Sequence, residues 1–159
     1  MTRTETAYFA AGCFWGVQLR FDQTPGVLET TVGYMGGHVD HPTYEQVCTG
    51  TTGHAETVRV VFDPTEVDYT RLLDLFFQMH DPTQLNRQGP DVGTQYRSAI
   101  FTTSPVQRML AEQAITRWTP HFSRAIVTQI DDAARHTFWP AEDYHQKYFA
   151  RRGITSGCH

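Results

Sequence analysis

Apolar and polar positions recur along this chain with two periods, and those periods divide it into elements. Residues 7–11 form a short apolar run, Ala-Tyr-Phe-Ala-Ala, which predicts a strand feeding a helix that ends near Asp22. A second strand is expected over 27–34. Val58, Val60 and Phe62 then alternate with Thr57 and Arg59 in a third strand, which Asp63-Pro64 breaks. Asp68 is placed to cap the next helix, where Leu72, Leu75, Phe76 and Met79 share one face until His80-Asp81-Pro82 ends it. A polar loop over 81–95 leads to a strand over 97–102. Ser104-Pro105 opens a helix with Val106, Met109, Leu110, Ala114 and Trp118 expected inward. A strand over 125–130 and a last helix over 141–150 follow. Residues 151–159 carry two glycines and no periodicity, so they read as a mobile tail.

The resulting order, βαββαβαβα, predicts an α/β (α+β) fold: a two-layer sandwich with a mixed sheet and a ferredoxin-like core. At 159 residues the chain reads as one domain, 1–159, able to bury roughly 70% of its unfolded surface. Two irregular stretches, 36–55 and 81–95, are long for a compact domain, and loops of that length are often functional. The formal net charge is −4, the arginines are scattered, and Lys147 is the single lysine, which argues against nucleic acid as a partner. No run approaches the ~20 apolar residues of a membrane span, and the first residues do not lead into a signal-peptide core. A cytoplasmic location and no membrane partner are expected. The three cysteines, Cys13, Cys48 and Cys158, make a poor disulfide framework but are compatible with redox chemistry in a reducing compartment.

Gly12-Cys13-Phe14-Trp15-Gly16 is the sharpest chemical signal, because it sets Cys13 at a strand-to-helix junction. Unpaired amides and the positive end of a helix favour the thiolate there, the nucleophilic form of cysteine. An isolated cysteine is usually a small buried hydrophobe. Here two glycines permit close backbone approach, and a Phe-Trp pair offers apolar walls, so Cys13 reads as a nucleophile. Glu56 directly precedes the strand over 57–62, where a buried carboxyl would hold its proton and act as an acid. Most glutamates are solvated, and most tyrosines are core-edge residues. In these glycine-rich loops, however, Tyr44 and Tyr96 could supply phenolic donors.

The motifs GCFWG, GYMGG, PTYEQV, GHAE, DPTQLNRQGPDVGTQYRS and AEDYHQKY occur in that order, and together they resemble peptide methionine sulfoxide reductase of the A type over nearly the whole chain. The resemblance implies that Cys13 attacks the sulfoxide sulfur, Glu56 protonates the departing oxygen, and Tyr44 and Tyr96 hydrogen-bond it. Asp91 is implied as a water-mediated substrate contact. Phe14 and Trp15 are implied to cradle the substrate methyl group and select the S epimer. No metal and no cofactor are implied. The implied substrates are oxidised proteins, peptides or free methionine sulfoxide, the reductant is thioredoxin, and the role is protein repair under oxidative stress.

That chemistry is self-consistent, since a sulfoxide oxygen leaves only once protonated and attack needs a thiolate beside an acid. Cys13 would remain as a sulfenic acid, which condenses with a second thiol. Cys158, in the tail, is the implied resolver, giving a Cys13–Cys158 disulfide, while Cys48 reads as a buried structural thiol. The chain departs from the family pattern at His41, where relatives often carry asparagine, and in lacking a tyrosine ahead of Cys158. Two other readings remain: a zinc module built on His38, His41, Cys48 and His54, and a cysteine hydrolase pairing Cys13 with His54 or His145. Thioredoxin-like exchange is disfavoured, since no Cys-x-x-Cys is present.

Overall fold

A computed structural model of the protein describes residues 4–153. Its strands and helices run β1 (Glu5–Ala11), α1 (Phe14–Asp22), β2 (Val27–Met35), α2 (Tyr44–Cys48), β3 (Ala55–Phe62), α3 (Tyr69–Met79), β4 (Arg87–Gln88), β5 (Asp91–Val92), β6 (Ser98–Thr102), α4 (Pro105–Trp118), β7 (Gln129–Asp132), β8 (Trp139–Pro140) and α5 (Tyr148–Arg151). Six strands form one mixed sheet in the order β7-β6-β1-β3-β2-β8, with β6 and β7 parallel and the other neighbours antiparallel. Its inner strands β6-β1-β3-β2, with α1 and α3 as crossovers, follow the βαββαβ arrangement expected of a ferredoxin-like core. β4 and β5 make a separate small hairpin.

Period-two alternation gives the sheet two apolar faces. Ala7, Phe9 and Ala11 of β1 point to the helical side, where Phe9 packs at 5.1 Å from Phe21 of α1 and 5.4 Å from Phe76 of α3. Ala10 faces the opposite side with Met35, Ala55, Ala99 and Phe101, under a cover that includes Ala133 and Phe138. Fully burying each large side chain contributes about 1.5–3 kcal/mol, so the helical face holds most of the apolar stabilisation. The helix starts follow their capping residues: Asp68 Oδ1 accepts from the Arg71 amide at 2.8 Å, and Ser104 Oγ accepts from the Gln107 amide at 3.1 Å.

Several expectations shift. Val106 and Met109 lie on the solvent side of α4, 59% and 51% exposed, while Gln107, Ala111 and Ala114 form its buried stripe. A glutamine can occupy that stripe because its side chain accepts from the Thr103 amide and donates to the Thr6 carbonyl, so hydropathy alone misplaced the face. The strand expected over 125–130 begins at Gln129. The helix expected over 141–150 is a 3₁₀ turn at Asp143–His145 followed by α5, interrupted at Lys147, whose φ is 58°. There the side chains of Glu142, His145, Gln146 and Lys147 and the Lys147 amide bond to other elements, and these tertiary bonds override helical propensity. Of the expected tail over 151–159, Arg151 belongs to α5 and 152–153 form the turn that closes it, while 154–159 lie outside the described residues.

The loop over 36–54 is pinned by a close backbone approach. A Cβ placed on Gly37 would lie 2.4 Å from the His54 nitrogen and 2.4 Å from the Thr52 oxygen, so no larger residue fits without moving backbone. Gly37→Ala is therefore expected to cost about 1–3 kcal/mol, read as a lower denaturant midpoint at unchanged m-value. An unaltered midpoint would show that this contact is not needed.

Candidate active site

Cys13 is the N-cap of α1, reached from β1 through Gly12, whose φ of 95° is accessible to glycine at little cost. The first amides of a helix have no intrahelical acceptor. The Phe14 amide meets this need across the fold, donating to Glu56 Oε1 at 3.2 Å. Glu56 is the second residue of β3 and only 2% exposed, so the solvated reading of this glutamate does not hold. The Phe9–Val58 register sets the end of β1 against the start of β3, and that places a buried carboxyl beside the half-buried Cys13.

Tyr44 opens α2, with Thr43 as N-cap of a capping box, and Tyr96 closes the 3₁₀ turn Thr94–Tyr96. The two segments are laced together by Gln95 Nε2 donating to the Cys48 carbonyl at 3.3 Å and Thr94 Oγ1 donating to the Gly50 carbonyl at 3.4 Å. Burial pushes both phenols well above their ordinary range, and the nearby Glu56 carboxyl adds to the shift in each. Both therefore stay protonated and able to donate at any neutral pH. The Asp91 carboxyl and the Cys13 thiol raise the Tyr96 phenol further.

The aromatic pair divides its labour. Phe14 is fully buried, 5.8 Å from Tyr34 and 6.4 Å from Tyr44, and forms the inner wall. Trp15 is half-buried and stacks on Tyr148 at 3.9 Å. Its indole Nε1 donates to His145 Nδ1 at 3.0 Å, and burial holds His145 below its ordinary value, hence neutral. Glu142 accepts from the Tyr34 hydroxyl at 2.8 Å and from the Tyr44 amide at 3.0 Å. These two residues of the AEDYHQKY motif touch site residues directly; only the motif itself signals them in the sequence, because single polar residues in an irregular segment carry no periodicity. A groove of about 610 Å³ between Met79, His80, Gln88 and Phe122 is also lined by Asp91, but by none of Cys13, Glu56, Tyr44 and Tyr96.

Cys48 is exposed rather than buried, because α2 fully buries only Val47. Cys158 lies outside the described residues. Neither alternative gains support. Both ring nitrogens of His54 are engaged, Nδ1 by the Gly37 amide and Nε2 by the Val39 carbonyl, and His145 Nδ1 is taken by Trp15. Among the described residues no group of three or more His, Cys, Asp or Glu side chains is arranged to hold a metal ion, so His38, His41, Cys48 and His54 do not form one.

A cysteine at a helix N-terminus, flanked by a buried carboxyl and two protonated phenols, is the equipment of a thiol-dependent enzyme. Comparison with known proteins names the class. Residues 5–159 match the family model of peptide methionine sulfoxide reductase. The chain is 56% identical over 151 residues to the peptide methionine sulfoxide reductase MsrA of Methanoculleus marisnigri, covering 94% of this chain and 91% of that protein. Methionine sulfoxide reductase A of Corynebacterium diphtheriae superposes with a TM-score of 0.92 at 41% identity, covering 98% of this chain and 78% of that one. Mxr1 of Saccharomyces cerevisiae in reduced form superposes with a TM-score of 0.90 at 32% identity over 98% and 90%, and Mxr1 is also known in complex with Trx2, where the TM-score is 0.66 at 24% identity over 92% and 85%. The chain belongs to the peptide methionine sulfoxide reductase family and is an oxidoreductase of its MsrA type.

Proposed function

We propose that this enzyme reduces the S epimer of methionine sulfoxide, protein-bound or free, through a Cys13 sulfenic acid. The observation that carries the reading is the buried Glu56 carboxyl held on the Phe14 amide next to Cys13. Cys13 sulfur attacks the sulfoxide sulfur while Glu56 protonates the oxygen and Tyr44 and Tyr96 hydrogen-bond it. The S–O bond of the adduct breaks and the protonated oxygen leaves as water. A water then attacks the Cys13 sulfur and breaks the new S–S bond, so that methionine leaves and Cys13 is left as the sulfenic acid, the thiol oxidised by two electrons as the sulfoxide is reduced. A protonated phenol donates to oxygen without competing as a base, which suits Tyr44 and Tyr96. Phe14 and Trp15 hold the methyl group, and Asp91 contacts substrate through water. No cofactor takes part.

Cys158 then attacks the sulfenic sulfur, expelling water and forming the Cys13–Cys158 disulfide, which thioredoxin reduces. The Mxr1–Trx2 complex supports a thioredoxin-type reductant for the family architecture. The enzyme is proposed to act as a cytoplasmic repair enzyme; among the described residues no helix is long and apolar enough to cross a membrane.

The decisive assay supplies separated R and S sulfoxides with dithiothreitol and measures methionine. Release from the S epimer alone is expected, with none from Cys13→Ser, because a hydroxyl lacks both the nucleophilicity and the redox chemistry of the thiolate. Equal rates on both epimers would defeat the proposed selectivity. Glu56→Gln, which keeps shape and removes the acid, should slow single-turnover methionine release by ~10²–10⁴-fold. A change within twofold would remove Glu56 from that role. Cys158→Ser should leave the first turnover intact, abolish thioredoxin-driven cycling, and leave Cys13 trappable by a dimedone-type reagent. A Cys13–Cys48 bridge in wild-type protein, with normal cycling in Cys158→Ser, would transfer resolution to Cys48.

A further inference from the structure

We propose that Glu142 is a positioning residue, one that sets the Tyr44 hydroxyl against the reacting sulfoxide by gripping the Tyr44 backbone. This rests on the reading of Tyr44 as a donor to the substrate oxygen. Tyr44 opens a five-residue helix inside a long loop, and of that helix only Val47 is fully buried; the Tyr44 ring packs on Phe14 and Trp15, but ring packing alone does not fix the height of the backbone that carries the hydroxyl. The Thr43 capping box orders the turn internally but does not tie it to the sheet.

Glu142 supplies that tie. Its Oε2 accepts from the Tyr44 amide at 3.0 Å, and its Oε1 accepts from the hydroxyl of Tyr34 at 2.8 Å. Tyr34 is fully buried in β2 and stands opposite Glu56 of β3 in the register. One carboxylate thus references Tyr44 to the same strand pair that carries the acid. Charge-assisted bonds of this kind are shorter and roughly twice as strong as neutral ones, which suits a group that must hold a loop in place. Burial pushes the Glu142 carboxyl up, but the Tyr44 amide and Tyr34 hydroxyl outweigh it and hold the group below its ordinary value, hence ionised. Three residues on, the His145 ring packs 4.3 Å from that of Tyr44, so the same short segment also buttresses the phenol from behind.

A residue that only stabilises the fold and one that aims Tyr44 differ in a double-mutant cycle on single-turnover methionine release from the S sulfoxide. Glu142→Gln keeps the volume but turns an NH₂ toward one of its two donors. In the wild-type background it is expected to slow release by about tenfold or more, the scale of a misplaced catalytic group. In a Tyr44→Phe background, where no hydroxyl remains to be aimed, the same change should alter the rate less than twofold. Equal factors in both backgrounds, or no loss in the first, would overturn the proposal. Should Glu142→Gln fail to fold, Glu142→Asp and Tyr34→Phe, which weaken the grip from either side, enter the same cycle with the same criteria. Wild-type protein that released no methionine would overturn the reductase reading and this proposal together, whereas release with multiplicative costs would overturn the positioning role alone.

Discussion

The hydrogen bond from the Phe14 amide to Glu56 Oε1, 3.2 Å long and 42 residues apart in sequence, is the contact on which the rest of the site depends. A helix must find acceptors for its first amides, and a buried carboxyl must find donors. Here each meets the other's need. The bond lies one residue from Cys13, so whatever holds the sheet in register also holds nucleophile and carboxyl at a fixed separation. The antiparallel pairing of β1 with β3, built from the alternation of Ala7 and Phe9 with Val58 and Val60, is therefore part of the chemistry as well as of the core.

Around this fixed pair, the irregular segments of the site are held by polar ties. Tyr44 and Tyr96 stand on short turns in loops, joined to each other by Gln95 and Thr94 and to the sheet by Glu142. The segment 142–148 returns from the far end of the chain to do much of this. Glu142 reaches Tyr34 and Tyr44, His145 receives Trp15, Gln146 bonds both the amide and the carbonyl of Val32, and Lys147 pairs with Asp22 at 2.7 Å and bonds Thr30. Buried polar networks of this kind rigidify a site when satisfied and are costly when broken. Loops rich in glycine and polar residues can in this way present donors with the precision of regular elements.

The inner strands and the helix α3 were legible in the sequence because their buried positions are apolar. β1 is covered on both faces and reads as an apolar run, β3 keeps period two at Val58, Val60 and Phe62, and α3 keeps the helical spacing of Leu72, Leu75, Phe76 and Met79. Asp68 and Ser104 announced their helices for the same local reason, a side-chain oxygen within reach of an amide three residues on. The pattern misled where a polar side chain takes a buried position: Gln107 bonds to Thr103 and Thr6 and so turns the inward face of α4 away from Val106 and Met109. It also missed β8, an edge strand of two residues ending in proline, and the exposure of Cys48, since neither length nor composition states which side of a short helix faces out.

Alone, the sequence determined the fold class, the family, the junction that carries Cys13 and the residue types able to attack, protonate and bind, because those follow from spacing and side-chain chemistry. Only the tertiary structure decided that Glu56 is buried and bonded to the neighbour of Cys13, that burial raises the phenols of Tyr44 and Tyr96, and that Glu142 bonds Tyr44 while His145 bonds Trp15. The physical reason is range. Periodicity and capping act within a few residues, whereas desolvation and long-range hydrogen bonds depend on which distant segments the strand order of the sheet brings together.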